Sequence, residues 1–127
     1  MITADTRLGQ RMHSAIFAVV GELPDEVWFL RNLAERIGMQ PEGDAMVRTF
    51  PTPDGRGGFG RMVVQPMTES FLAFDGYSQV GGGYLIVHSC KWFDHHAVEQ
   101  AIAALDEYVQ VVDRARSSIG LNDADEL

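Results

Sequence analysis

Apolar and polar positions along the chain fall into blocks of two different periods. "HSAIFAVVG", residues 13–21, is a β-branched and aromatic run that reads as a strand. "LPDEVWFLRNLAERIG" follows, with Val27, Leu30, Leu33, Ala34 and Ile37 at helical spacing. Asp25 and Glu26 favour the start of that helix, and Gly38 offers the left-handed residue that commonly ends one. "DAMVRTFPT" predicts a second strand, closed by the turn residues of "PTPDGRGG". "FGRMVVQPMTESFLAF" is long enough for one third strand, in which Pro66 must mark an edge, a bulge or a break because it has no N–H. After the turn "DGYSQVGGG", the continuous apolar run "GYLIVHSCKWF" predicts a fourth strand. A last helix opens at Asp94, a good N-cap, and its pattern carries Val98, Ala101, Ile102, Leu105, Val109 and Val112 on one face.

The predicted order is strand–helix–strand–strand–strand–helix. Burying the apolar stripes of two helices on one face of a sheet gives an α/β (α+β) fold, a two-layer αβ sandwich with a mostly antiparallel sheet. The other sheet face must then meet water, a ligand or a second chain, so assembly through that face or the sheet edges is expected. With 127 residues the chain suits a single domain, 1–127, with residues 1–12 and the acidic end 121–127 expected to be flexible.

Composition narrows the function. The net charge is −8 and there is one lysine, Lys91, so the chain lacks the cationic cluster that neutralises phosphates, and no nucleic-acid partner is expected. The same sign opposes docking on anionic membranes but suits a small cationic ligand. No apolar run approaches the roughly 20 residues that span a bilayer, and the N-terminus lacks the apolar core of a signal peptide, which makes a cytoplasmic location the expectation. One cysteine, Cys90, excludes an intrachain disulfide framework and a multi-thiolate metal site.

Four local patterns carry candidate chemistry. "GRGGFG", Gly55 to Gly60, has the glycine spacing of a dinucleotide loop, but it precedes a strand instead of opening a helix, which fits a glycine-rich hairpin connection better. "FDHH" offers Asp94, His95 and His96, yet adjacent helical residues diverge, so no metal site is expected there. His88 and Cys90 stand two apart on a predicted strand, hence on one face. The thiol beside the imidazole is either a proton donor or an ordinary buried cysteine. Glu69 sits beside Ser70 within an apolar run, where a carboxylate is seldom buried without a partner. Asp75 either shares a face with Glu69, if the strand is unbroken, or belongs to a "DG" turn that bonds local backbone.

The pair Glu69-Ser70, the cysteine twenty residues further on at 90, and the capped helix after it together resemble the small bacterial S-adenosylmethionine decarboxylase proenzymes. The similarity runs from about Leu33 to Leu105 and includes the "RIG" helix end, "VRTF" before a turn, "MVV" leading to "ES", and "SFLAF". The resemblance implies an αβ sandwich, a homo-oligomer, and a lyase of polyamine (spermidine) biosynthesis acting on S-adenosylmethionine. It implies self-cleavage between Glu69 and Ser70, with the serine converted to a pyruvoyl group that serves as electron sink for decarboxylation. Cys90 would return the proton to the substrate carbon, Phe71, Tyr77 and His88 would contact the substrate, and Asp75 would lie beside the reacting groups. Three features depart from that family: its processing histidine is replaced by Asp75, its upstream serine by Met62, and the Trp-Pro-Glu that follows the histidine by "GYSQ". An unprocessed relative has a second route, the type of phage-encoded enzymes that release methylthioadenosine and homoserine lactone from the same sulfonium, with Glu69 facing the ligand. A non-catalytic binding or assembly protein of the same fold is the third reading.

Overall fold

A computed structural model describes residues 11–52 and 57–120. The described chain runs β1 (Arg11–Val20), α1 (Glu26–Arg36), β2 (Met46–Pro51), β3 (Phe59–Met67), β4 (Ser70–Tyr77), β5 (Gly82–Ser89), α2 (His95–Leu105) and β6 (Gln110–Gly120). The strands form one antiparallel sheet in the order β2-β3-β4-β5-β1-β6. The expected flexible segments lie outside the described residues, apart from Arg11 and Met12, which belong to β1. No helix is long and apolar enough to cross a membrane among the described residues.

Both helices start as their caps require. Asp25 Oδ1 accepts from Trp28 N at 3.0 Å, and Asp94 Oδ1 accepts from His96 N at 3.0 Å, each satisfying a donor the first turn leaves open. Gly38, at φ +78°, turns the chain out of α1. Phe29, Leu30, Leu33 and Ala34 of α1, with Val98, Ala101 and Ile102 of α2, cover one face of the sheet. They meet Phe17 and Val19 of β1, Leu72 and Phe74 of β4, and Leu85 and Val87 of β5, all nearly inaccessible to water. Gln65 is the polar exception in that layer. Its amide donates to Gly43 O and Pro66 O and accepts from Arg31, so burial leaves none of its groups unpaired.

Three expectations are corrected. The long third strand is two, β3 and β4, folded back on each other through Thr68 and Glu69, with Met67 paired to Ser70. Pro66, one residue before β3 ends, accompanies that break. The last helix stops at Leu105, and Val109 and Val112 belong to the loop and strand that follow it. Asp106 Oδ1 accepts from Tyr108 N and ends the helical spiral, after which the β-branched run 109–112 leads into β6, which pairs with β1 along its whole length. Val109 is still buried, but ahead of a strand, and Val112 is exposed at a bulge. The fourth strand ends at Ser89, so Cys90 lies beyond it, exposed, not buried as an ordinary core cysteine would be. Of the glycine-rich "GRGGFG", Gly55 and Arg56 lie outside the described residues, Gly57 and Gly58 precede β3, and Phe59 and Gly60 open it, paired with the end of β2.

Leu33 has no solvent exposure and anchors α1 to the sheet. Leu33→Ala is expected to destabilise the protein by about 2–5 kcal/mol in urea unfolding, against less than about 1 kcal/mol for exposed Val112→Ala.

Candidate functional site

The turn between β3 and β4 gathers most of the residues singled out in the sequence. Ser70 has φ +150° and is the one non-glycine residue of positive φ among the described residues. A side-chain-bearing residue is held there only when its surroundings over-determine it. Here they do. Thr68 N donates to Gln40 O at 2.8 Å, and Gln40 N donates to a Glu69 carboxylate oxygen at 3.0 Å. Thr68 Oγ1 donates to Glu42 at 2.8 Å, and Cys90 N donates to the Glu69 carbonyl at 2.9 Å. Lys91 reinforces the same corner, its Nζ donating to Gly38 O and its backbone N to Ser89 Oγ, both at 2.9 Å. The turn is therefore clamped by the 38–42 loop on one side and by the end of β5 on the other.

Glu69 lies in this turn, not on an unbroken strand with Asp75, so the two carboxylates do not share a strand face. Its Oε1 accepts from Gln40 N, and the residue as a whole is partly buried. Ser70 pairs with Ser89, whose side chain is fully buried. Phe71 and His88 are cross-strand neighbours on the face away from the helices, with ring centroids 5.0 Å apart. Ser14 of β1 stands on the far side of His88, its Oγ 2.5 Å from Nδ1. Sequence spacing had no means of finding Ser14 or Gln40, because their partners lie 74 and 29 residues away.

Asp75 and Tyr77 form a separate group toward the other end of β4, about 17 Å along the strand from Ser70. Asp75 is inside the strand, not in the turn after it, and its Oδ2 accepts from the Tyr77 hydroxyl at 3.0 Å, whereas Oδ1 is screened from water without a hydrogen-bond partner. Tyr77 also meets Tyr84 edge-on at 6.3 Å. The hydrogen bond from Tyr77 to the Asp75 carboxylate, aided by that negative charge, raises the tyrosine pKa above its ordinary value near 10. On the helix side of this end opens a cavity of about 440 Å³, walled by the Glu26–Arg61 ion pair, Glu22, Leu23 and Phe59 and floored by Gly76 and Gly82. Of the candidate residues, Tyr77 alone lines it.

The first turn of α2 does bring His95, His96 and Glu99 together, with one ligand atom of each within 4.8 Å of the others. Side-chain length overcomes the divergence expected of adjacent helical residues. Two guanidiniums already occupy the cluster. Arg114 is ion-paired with Glu99, its Nε at 2.6 Å, and Arg116 lies 3.4 Å from His95 Nδ1 while donating to Phe93 O at 2.6 Å. Beside a helix N-terminus as well, that charge opposes a cation.

No family model matches the chain, and no curated protein matches its sequence. Among solved structures, the chain is similar to the crystal structure of the adenosylmethionine decarboxylase from Aquifex aeolicus VF5. The TM-score is 0.56 over 87% of this chain and 88% of that one, at 12% sequence identity. At that identity the likeness is one of fold.

Removing the acceptor from Tyr77 tests the Asp75–Tyr77 pair. In Asp75→Asn, tyrosinate absorbance is expected to show one tyrosine titrating at lower pH than in the parent protein. The raised pKa means that this bond's stabilisation is complete below the unfolded value near 10 and disappears as pH climbs through the folded value, so the variant loses that alkaline dependence.

Proposed function

We propose that this chain, built on the fold of an adenosylmethionine decarboxylase, is a lyase acting on S-adenosylmethionine at the turn joining β3 and β4. The observation that carries the reading is the Glu69–Ser70 peptide itself. Ser70 is held at positive φ, and Cys90 N–H lies 2.9 Å from the Glu69 carbonyl oxygen. Attack of Ser70 Oγ on that carbonyl puts negative charge on the oxygen that Cys90 N–H already faces, the arrangement by which a fixed donor lowers a barrier. The acyl shift breaks the Glu69–Ser70 amide and forms an ester. β-Elimination then removes the Ser70 Cα proton and breaks the Cβ–O bond, expelling the backbone α-carboxylate of Glu69, and water hydrolyses the imine that forms with loss of ammonia, which leaves a chain ending at Glu69 and a second chain beginning with a carbonyl group. The residues present fit a pyruvoyl precursor in this respect.

A pyruvoyl group supplies an electron sink for loss of CO₂. The chain's own residues bind and transfer protons around it. The thiol of Cys90, exposed one residue beyond β5, would return a proton to the substrate carbon. His88, held between Ser14 and Phe71, offers an oriented imidazole and an aromatic surface on the open sheet face. The net charge of −8 favours approach of the sulfonium cation. The family resemblance and the uncovered sheet face support a homo-oligomer as the working form.

One observation favours the route without cleavage. Met62 and Asp75, which replace the serine and histidine of processing, are cross-strand partners, so both departures fall at one spot. In an intact chain the substrate's own carboxylate displaces methylthioadenosine. A carbon–sulfur bond breaks as a carbon–oxygen bond closes homoserine lactone, and Glu69 provides the negative charge facing the sulfonium.

Intact mass after purification separates these routes. Two fragments divided between residues 69 and 70, the second blocked at its N-terminus, are expected for processing, with Ser70→Ala remaining whole. A whole chain that releases methylthioadenosine, about 100-fold more slowly as Glu69→Gln, selects the second route. A whole chain with no turnover of S-adenosylmethionine would overturn the enzymatic reading and leave a binding or assembly role.

A further inference from the structure

On the helix side of the sheet, one row of residues departs from the packing found in its neighbour. Val63, Phe74, Leu85 and Phe17 stand side by side across β3, β4, β5 and β1, and all four are buried. The next row, toward the start of α1, reads Arg61, Gly76, Gly83 and Val19. Two adjacent strands therefore offer no side chain at one place, and the cavity of about 440 Å³ opens there beside Leu23 and Glu26. That volume falls in the range of small-molecule sites, roughly 300–1,000 Å³.

The backbone and one ring keep this space open. The Phe74 ring leans over Gly76, its Cε2 2.7 Å from where a Cβ on that glycine would stand, and a Cβ on Gly83 would strike the Asp75 carbonyl oxygen. The sheet cannot fill the gap with a larger residue unless one of these groups moves, so one wall is aromatic ring and glycine backbone. Phe59, 49% exposed, adds a second apolar surface, and its backbone N donates to Ser78 Oγ at 2.9 Å. The charges around the cavity do not balance. Glu26 and Arg61 neutralise each other as an ion pair, whereas Glu22 is exposed and has no hydrogen-bond or ion-pair partner among the described residues.

We propose that this cavity binds an aromatic amine, a planar ring system carrying one ammonium group. The ring lies against Phe74, the glycine backbone and Phe59, and the ammonium pairs with Glu22. An anionic ligand would meet two carboxylates and a guanidinium already engaged by one of them. A cation without a ring would leave the apolar walls in water. Gly76 is six residues along β4 from Ser70, roughly 20 Å, so the amine occupies a site separate from the 69–70 peptide and independent of the chemistry proposed there.

Isothermal titration of the full chain with tryptamine tests this, with circular dichroism confirming that each variant is folded. The dissociation constant is expected below about 1 mM, weakened about 5-fold or more in Glu22→Gln and in Phe59→Ala, and held within about threefold of the parent in Glu22→Asp. n-Butylamine, which has the charge without the ring, and indole-3-propionate, which has the ring with the opposite charge, are expected to bind at least about 10-fold more weakly. Amide shifts induced by tryptamine are expected at Gly76, Gly81 and Gly82 and not at Cys90. No binding at millimolar tryptamine, binding indifferent to Glu22→Gln or Phe59→Ala, equal binding of either control, or shifts centred on Cys90 would overturn the proposal.

Discussion

Six strands share one layer of helices, and that asymmetry governs the molecule. Because side chains alternate across a strand, covering one face commits every second residue to a dry core and leaves every other residue on a surface without a second layer. Phe17, Leu72, Leu85 and Val87 take the covered side with α1 and α2, and their burial is the main term holding the sheet together. Ile16, Asp75, Tyr84 and His88 take the other side by the same rule. Among the described residues no third helix covers that side.

The second organising feature is the corner at Thr68 and Glu69. A two-residue connection between antiparallel strands demands unusual backbone, and glycine normally supplies it. Here the position after the turn is Ser70, and hydrogen bonds from the 38–42 loop and from Cys90 hold it there. Glu69 is retained at the corner because its carboxylate closes that loop through Gln40 N. The acid beside the serine thus has a structural duty whatever its chemistry, and the backbone N–H of Cys90 holds the carbonyl of the 69–70 peptide from the other side. Strain maintained by surrounding structure is characteristic of reacting positions.

Local signals in the sequence were sound wherever the physics is local. Caps at Asp25 and Asp94, the exit at Gly38 and the apolar face of the first helix follow from interactions within one or two turns, and each is found where it was expected, as is the face of the second helix as far as Leu105. The closeness in chain of Glu69 and Ser70 was legible too, and the backbone bond from Cys90 to Glu69 brings the lone cysteine to the same corner. The misreadings share one cause. Val109 and Val112 continue a helical spacing by coincidence, and only the open edge of β1 made that segment a strand. The run 59–74 looks continuous because the residues that fold it at 68–69 obtain their partners from Gln40 and Glu42, more than twenty residues away.

By itself, then, the order of residues determined where both helices begin and where the first one ends, the apolar runs that supply β1 to β5, an excess of acidic residues, and the proximity in chain of an acid, a serine and a thiol. Tertiary structure decided which segment closes the far edge, where the third strand doubles back, which face Asp75 and His88 occupy, and that Ser14 meets His88. A helix satisfies its backbone within its own turn, whereas a strand's donors and acceptors, and the two sides it offers, acquire partners only when distant chain arrives.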